Sequence, residues 1–212
     1  MEPEILDSLA PDDPAAVANR RDIRILNQLM GNFNWFARRL AEQDGFDGIL
    51  ELAAGDGSLG RYLRDHGIVD REEPCLGLDL IPRPGQWPIR WSWQQRDIRR
   101  FPFDTAHGTL VANLILHQFE REDLRFIGQR IDHSQVRRIL VNEPARRRLS
   151  LWMIPLFKLL RMHKVSLYDA RVSIRAGFRK GEIHEQLGLD PRSWNIRYTK
   201  GPGAVRMEAV RA

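Results

Sequence analysis

Four carboxylates and a glycine-rich turn carry the chemistry most readily read from this 212-residue chain. Gly55-Asp56-Gly57-Ser58-Leu59-Gly60 has the spacing G-x-G-x-x-G, between a short apolar run and a helical pattern. Asp79 follows 19 residues after Gly60, at the end of the next apolar run. Glycines let such a turn approach a ligand closely, and the helix N-terminus behind it favours an anionic group. The later acid then grips a ribose, the pattern of a nicotinamide dinucleotide site. Electrostatics decides otherwise. Glu51, Asp56, Asp79 and Asp97 all fall at strand ends, where together they repel a pyrophosphate. S-adenosylmethionine brings a sulfonium and an ammonium against one carboxylate, so an acidic pocket attracts it while turn N–H groups take its carboxylate. The acids select the sulfonium.

A second group of residues suits a methyl acceptor. Ligands of open α/β sheets bind beyond the carboxyl ends of the strands, where Asn113–Phe119, Asn142–Arg148 and Arg161–Arg179 converge. Methyl transfer is an in-line displacement, and a base helps when the acceptor is a phenol or enol. His117, at the exit of the fourth strand, is the first candidate because imidazole titrates in the useful range. His163 is the second, and Glu143 orients a histidine or a substrate hydroxyl. Arg146, Tyr168, Ser173 and Arg175 are the expected acceptor contacts, with Arg175 the better clamp for an acidic group. No spacing of His, Asp or Glu suggests a metal.

The elements that must position these residues alternate. A helical pattern runs from Pro14 to about Glu42 and breaks at Gly31 and Asn32; its two helices are expected to cover the sheet end. Apolar runs at Gly48–Ala53, Cys75–Leu80, Trp91–Gln95, Thr109–Leu116 and Arg138–Asn142 read as strands. Helical stretches fall at Ser58–His66, Arg121–Ile131 and about Arg147 to Leu160. That alternation implies a parallel sheet with buried strands. Trp194–Thr199 and Ala204–Val210, joined by Lys200-Gly201-Pro202-Gly203, read as a closing antiparallel hairpin. Residues 1–14 read as a poorly ordered lead-in. Arg161–Arg179 shows no period and reads as a long functional connection.

Four segments resemble the ordered motifs of class I S-adenosylmethionine-dependent methyltransferases, over roughly residues 45–212. Ile49-Leu50-Glu51-Leu52-Ala53-Ala54-Gly55-Asp56-Gly57 is similar to the first motif, and Leu76-Gly77-Leu78-Asp79-Leu80 to the second strand. Arg96-Asp97-Ile98 resembles the adenine segment. Val111-Ala112-Asn113-Leu114-Ile115-Leu116-His117-Gln118-Phe119 resembles the fourth-strand motif of the small-molecule and quinone-type branch, with Gln118 replacing the common second histidine. The resemblance implies a Rossmann-like α/β fold, divided into a helical cover at 1–44 and a methyltransferase domain at 45–212. It implies cofactor contacts from Glu51, Gly55 and Gly57, ribose binding by Asp79, and adenine packing on Leu80. Asp97 and Ile98 would hold the adenine edge, and the Asn113 carbonyl would close the methionine end. The implied acceptor is a small aromatic, quinone-like or polyketide-like molecule; methylation on oxygen or carbon stays open, and the nearby base favours oxygen.

Composition bounds the alternatives. Hydrophobic residues make up 42% of the chain and charged residues 29%, ordinary for a globular protein. One cysteine, Cys75, permits no internal disulfide and fits a reducing compartment. The acidic start lacks a signal-peptide pattern, and the longest apolar stretch, Leu149 to Leu160, is too short to span a membrane. A cytoplasmic location is expected. Residues 1–106 hold 13 Arg against 18 acids, a net of −5, whereas residues 107–212 hold 20 Lys and Arg against 10 acids, a net of +10. The basic half supports an RNA methyltransferase as the alternative enzyme. Only four of the 33 basic residues are Lys, an arginine bias that a GC-rich genome gives any protein, and no run interleaves basic residues with stacking aromatics, which argues against nucleic acid. The other alternative is a pseudoenzyme acting as a partner subunit, and the intact cofactor motifs count against it.

Overall fold

The computed structural model describes residues 3–42, 47–69 and 75–212. The expected boundary between residues 44 and 45 lies outside the described residues. A seven-stranded sheet has the order β3-β2-β1-β4-β5-β7-β6. The first five strands are parallel: β1 (Ile49–Leu52), β2 (Cys75–Asp79), β3 (Ser92–Gln95), β4 (His107–Asn113) and β5 (Gln135–Pro144). The hairpin of β6 (Trp194–Gly201) and β7 (Ala204–Arg211) closes the edge, with β7 antiparallel to both β5 and β6.

Alternation along the strands sorts the apolar side chains onto two faces. Leu50, Leu52, Leu110, Ile139 and Val141 pack with Phe101, Phe103, Leu124 and Ile127. Ile49, Val111 and Leu140 pack on the other face with Phe33, Phe36, Leu59, Leu63, Trp87 and Trp91. The helices are α1 (Pro14–Leu29), α2 (Asn32–Ala41), α3 (Ser58–Asp65), α4 (Arg121–Asp132), α5 (Arg148–Leu151), α6 (Ile154–Leu159), α7 (Lys164–Ala176) and α8 (Glu182–Leu187). As the pattern predicts, α1 and α2 break at Gly31, which takes φ 64 to cap α2.

Three expectations are corrected. The stretch from Arg161 to Arg179 is mostly α7 rather than an irregular connection. Its buried positions include Ser166 and Asp169 beside Val165, Val172 and Ile174, so polar anchors conceal the apolar period. The single helix expected over Arg147–Leu160 is two pieces, α5 and α6, because Pro155 supplies no N–H and is tolerated only at a helix start. The N-terminal lead-in is packed: Ile5 and Leu6 donate their N–H groups to Asp169 at 2.8 and 3.2 Å, and Asp13 caps α1 by accepting from Ala15 at 2.7 Å.

Candidate active site

One cavity of about 680 Å³ opens at the carboxyl ends of β1, β2 and β4. Its walls come from the strand exits, its roof from α1, α7 and the segment Glu4–Pro11. Ala53 and Leu114, the residues after β1 and β4, line it with φ of 50 and 57. A non-glycine residue rarely adopts that conformation, so strain sits where both strands turn out of the sheet.

The acidic half holds all four carboxylates inferred from the spacing: Glu51, Asp56, Asp79 and Asp97 line the cavity. Glu51 is buried in the middle of β1, and burial with the neighbouring Asp56 and Asp79 pushes its carboxyl up to about 8. Asp79 ends β2 and accepts the Gly55 N–H at 2.7 Å and the Ile81 N–H at 3.1 Å. It therefore braces the glycine-rich turn. Asp56 is paired to Arg24 of α1 at 2.7 Å, which ties the cover to that turn. Asp97 chelates Arg99, whose guanidinium holds its carboxyl below the usual range. Leu80, 68% exposed, and buried Ile98 border the same region.

The two turn glycines differ. Gly55 takes φ 58 beside open cavity space, the place for close backbone approach to a ligand. Gly57 is outside the cavity lining, and a Cβ there would lie 2.7 Å from the Trp87 ring. Its smallness lets the indole pack under the turn rather than admitting a ligand. Asn113 lines the cavity and is locked by side-chain bonds to Asn142 at 2.9 Å and Asn27 at 3.2 Å, joining strand ends to α1.

The other half is built on His117. Its Nδ1 lies 2.7 Å from Glu143, and its Nε2 lies 3.2 Å from Glu4. Glu143 is fully buried and also accepts the N–H groups of Ile115 and Leu116 at 2.9 and 2.8 Å. Burial works against a charged imidazole, but Glu143 and then Glu4 override it and push His117 up to about 10. The two carboxylates favour the imidazolium form of the ring. Glu4 also accepts from Gln118 Nε2 at 3.1 Å and from the Ser173 hydroxyl. Despite its burial, contact with His117 holds Glu4 below the usual carboxylate range. Asn19, on α1, lines this half with a buried Oδ1 that has no hydrogen-bond partner among the described residues.

No family model matches the chain, and no curated protein matches it in sequence. Solved structures do match it. The plantazolicin methyltransferase BamL, in complex with a triazolic desmethylPZN analog and SAH, aligns with a TM-score of 0.68 at 10% identity, covering 97% of this chain and 92% of that one. The plantazolicin methyltransferase BpumL in complex with SAH aligns at 0.66 and 12% identity, covering 94% and 91%. Human N-acetylserotonin methyltransferase in complex with SAM aligns at 0.61 and 13% identity, covering 97% of this chain and 61% of that one. The fold is that of the class I S-adenosylmethionine-dependent methyltransferases.

Within this methyltransferase fold, the sequence-derived residues divide clearly. Glu51, Gly55, Asp79, Leu80, Asp97, Ile98, Asn113, His117 and Ser173 line the cavity, and Glu143 stands directly behind His117. The remaining five, Gly57 among them, do not line it. His163 caps α7, its Nδ1 accepting from Val165 at 3.3 Å while its own N–H goes to Asp22 at 2.7 Å. Arg146 is committed to Glu182 at 2.6 Å, and Tyr168 and Arg175 fall on the outward side of α7. Helical geometry separates Arg175 from Ser173, which a loop would have kept together. Sequence reasoning missed Glu4, Asn19 and Asp169, because each works through a partner more than a hundred residues away.

Proposed function

We propose that this chain is an S-adenosylmethionine-dependent methyltransferase acting on a small aromatic, quinone-like or polyketide-like acceptor, with oxygen the favoured site of methylation. The observation that carries the reading is a single cavity with an acidic half around Gly55 and an imidazolium–carboxylate half around His117. Burial and the neighbouring Asp56 and Asp79 outweigh Arg61 at Glu51, which fits a ligand bearing an ammonium and a sulfonium. When bound, that cofactor supplies an electrophilic methyl group.

The chain's own residues then have separable tasks. Asp79 binds the ribose hydroxyls, Leu80 and Ile98 enclose adenine, and Asp97 holds its edge. Glu51 and the Gly55 backbone hold the methionine end with the Asn113 carbonyl. Glu143 fixes the His117 ring by accepting a hydrogen bond from Nδ1–H, leaving Nε2 toward Glu4 and the acceptor half. His117 Nε2 takes the acceptor proton only in the neutral fraction, so Glu4 governs how much of that fraction exists. The lone Asn19 Oδ1 suits a hydroxyl donor on the acceptor. The roof excludes water, and we place residues 45–212 as the catalytic domain under the 1–44 cover, in the cytoplasm.

Calorimetric titration tests the reading. S-adenosylmethionine or its demethylated product is expected to bind and NADH not to bind; the reverse result removes it. Native mass spectrometry of freshly purified protein is expected to show the cofactor product or an acceptor carried along.

A further inference from the structure

Residues 144–168 contain six Arg and Lys and no acid, and Arg146, Arg147, Lys158, Arg161 and Lys164 all stand outside the cavity lining. Its centre is α6, whose two sides differ. Inward, Met153 and Phe157 line the cavity, and Ile154 and Phe157 pack with Met162 and Ile174. Outward, Trp152 and Leu159 are each 78% exposed, Leu156 52% and Leu160 44%. Leu156 and Leu159 lie on α6, with Leu160 capping its end and Trp152 in the turn before it. Arg147, Lys158, Arg161 and Lys164 surround the patch, all exposed and none paired to a carboxylate among the described residues. A contiguous apolar patch rimmed by one sign of charge marks an interaction surface.

We infer that the outer face of α6, with its basic rim, docks on an anionic lipid surface. An interfacial helix needs an apolar side with Trp and Leu, a polar margin rich in Lys and Arg, and no carboxylates to repel the headgroups. This segment meets each requirement. A second copy of the chain is a poor occupant, because a twofold contact sets the same patch against itself and brings the basic rims together. Nucleic acid would use the rim and leave Trp152, Leu156 and Leu159 unburied. Docking would also place the back of the Met153–Phe157 cavity wall at the lipid boundary, within reach of an apolar acceptor dissolved there.

Sedimentation with vesicles tests the inference without reference to catalysis. The full chain is expected to partition onto mixed phosphatidylcholine and phosphatidylglycerol vesicles at low salt and to bind phosphatidylcholine alone at least tenfold more weakly, since each basic residue at an anionic surface is worth roughly fivefold. Trp152→Glu with Leu159→Glu, and separately Lys158→Glu with Lys164→Glu, are each expected to lower partitioning by about tenfold or more. Thermal stability should stay unchanged, because these side chains are exposed. Tryptophan emission should shift to the blue on the mixed vesicles, and Trp152→Phe should remove that shift. Equal partitioning of wild type and both double variants overturns the inference, as does absence of binding to the mixed vesicles. So does a dimer in ultracentrifugation that the Trp152→Glu, Leu159→Glu pair dissociates, or RNA binding tighter than vesicle binding.

Discussion

At the residue scale, the site is governed by clustered carboxylates whose burial and neighbours set their charge. Glu51, held near 8, is mostly protonated at neutral pH, and a cationic ligand must ionise it. Cofactor binding at pH 7 is therefore expected to release about one proton, read by calorimetry in buffers of different ionisation enthalpy; Glu51→Gln should abolish the release. Asp79→Ala removes charge-assisted bonds worth roughly 1.5–3 kcal/mol each, so cofactor affinity should fall tenfold or more. An unchanged dissociation constant would reduce Asp79 to a brace for Gly55. For His117, the carboxylates at both nitrogens set the sign of the pH dependence. If neutral Nε2 takes the proton, turnover should climb with pH toward about 10, and Glu4→Gln should move that limb to lower pH. His117→Asn should lower turnover by ~10²–10⁴ and erase the limb. A limb that survives in His117→Asn would confine the residue to packing.

At the element scale, α7 is a clasp rather than a loop. Asp22 of α1 accepts from the His163 N–H and the Ser166 hydroxyl, both at 2.7 Å, while Asp169 holds Ile5, Leu6 and Asn19. These bonds pull the N-terminal segment and α1 onto the cavity roof. Asp169→Ala should release residues 4–9, and amide exchange at Ile5 and Leu6 should quicken by at least about tenfold, given 1.5–3 kcal/mol for each bond to a charged acceptor. Acceptor KM should rise while cofactor affinity holds, because Glu4 sits in the acceptor half. Unaltered exchange would mean that contacts other than Asp169 hold the segment.

At the scale of the whole molecule, the buried His117 ion cluster links stability to pH. Its folded pKa stands above the ordinary value of 6.5, so its stabilisation is complete below about 6.5 and disappears as pH rises through about 10. Glu51, also raised in the folded state, lowers stability in the same direction, but over a lower range, and its ionisation cost is complete above about pH 8. The window from about pH 8 to 10 thus isolates His117. Thermal unfolding of the ligand-free protein should fall across that window, and His117→Asn should flatten the fall.

The acidic strand ends, the glycine-rich turn and the closing hairpin were legible along the chain because each is a local pattern. Strand alternation, turn chemistry and the 19-residue step from Gly60 to Asp79 all operate within one βαβ unit. Even there, Gly57 proved to serve Trp87, a partner thirty residues on that no spacing rule names. The helix over Lys164–Ala176 was hidden for the opposite reason: its buried side carries Ser166 and Asp169, which look like solvent residues until Asp22, Ile5 and Asn19 meet them. Tertiary packing alone decided that Glu4 reaches His117, that His163 caps a helix, and that Trp152 faces outward while Phe157 faces in. A one-dimensional pattern records which residues share a face. Charge state and exposure depend on what the fold sets opposite that face, so the imidazolium at His117 and the bare patch on α6 belong to the folded molecule.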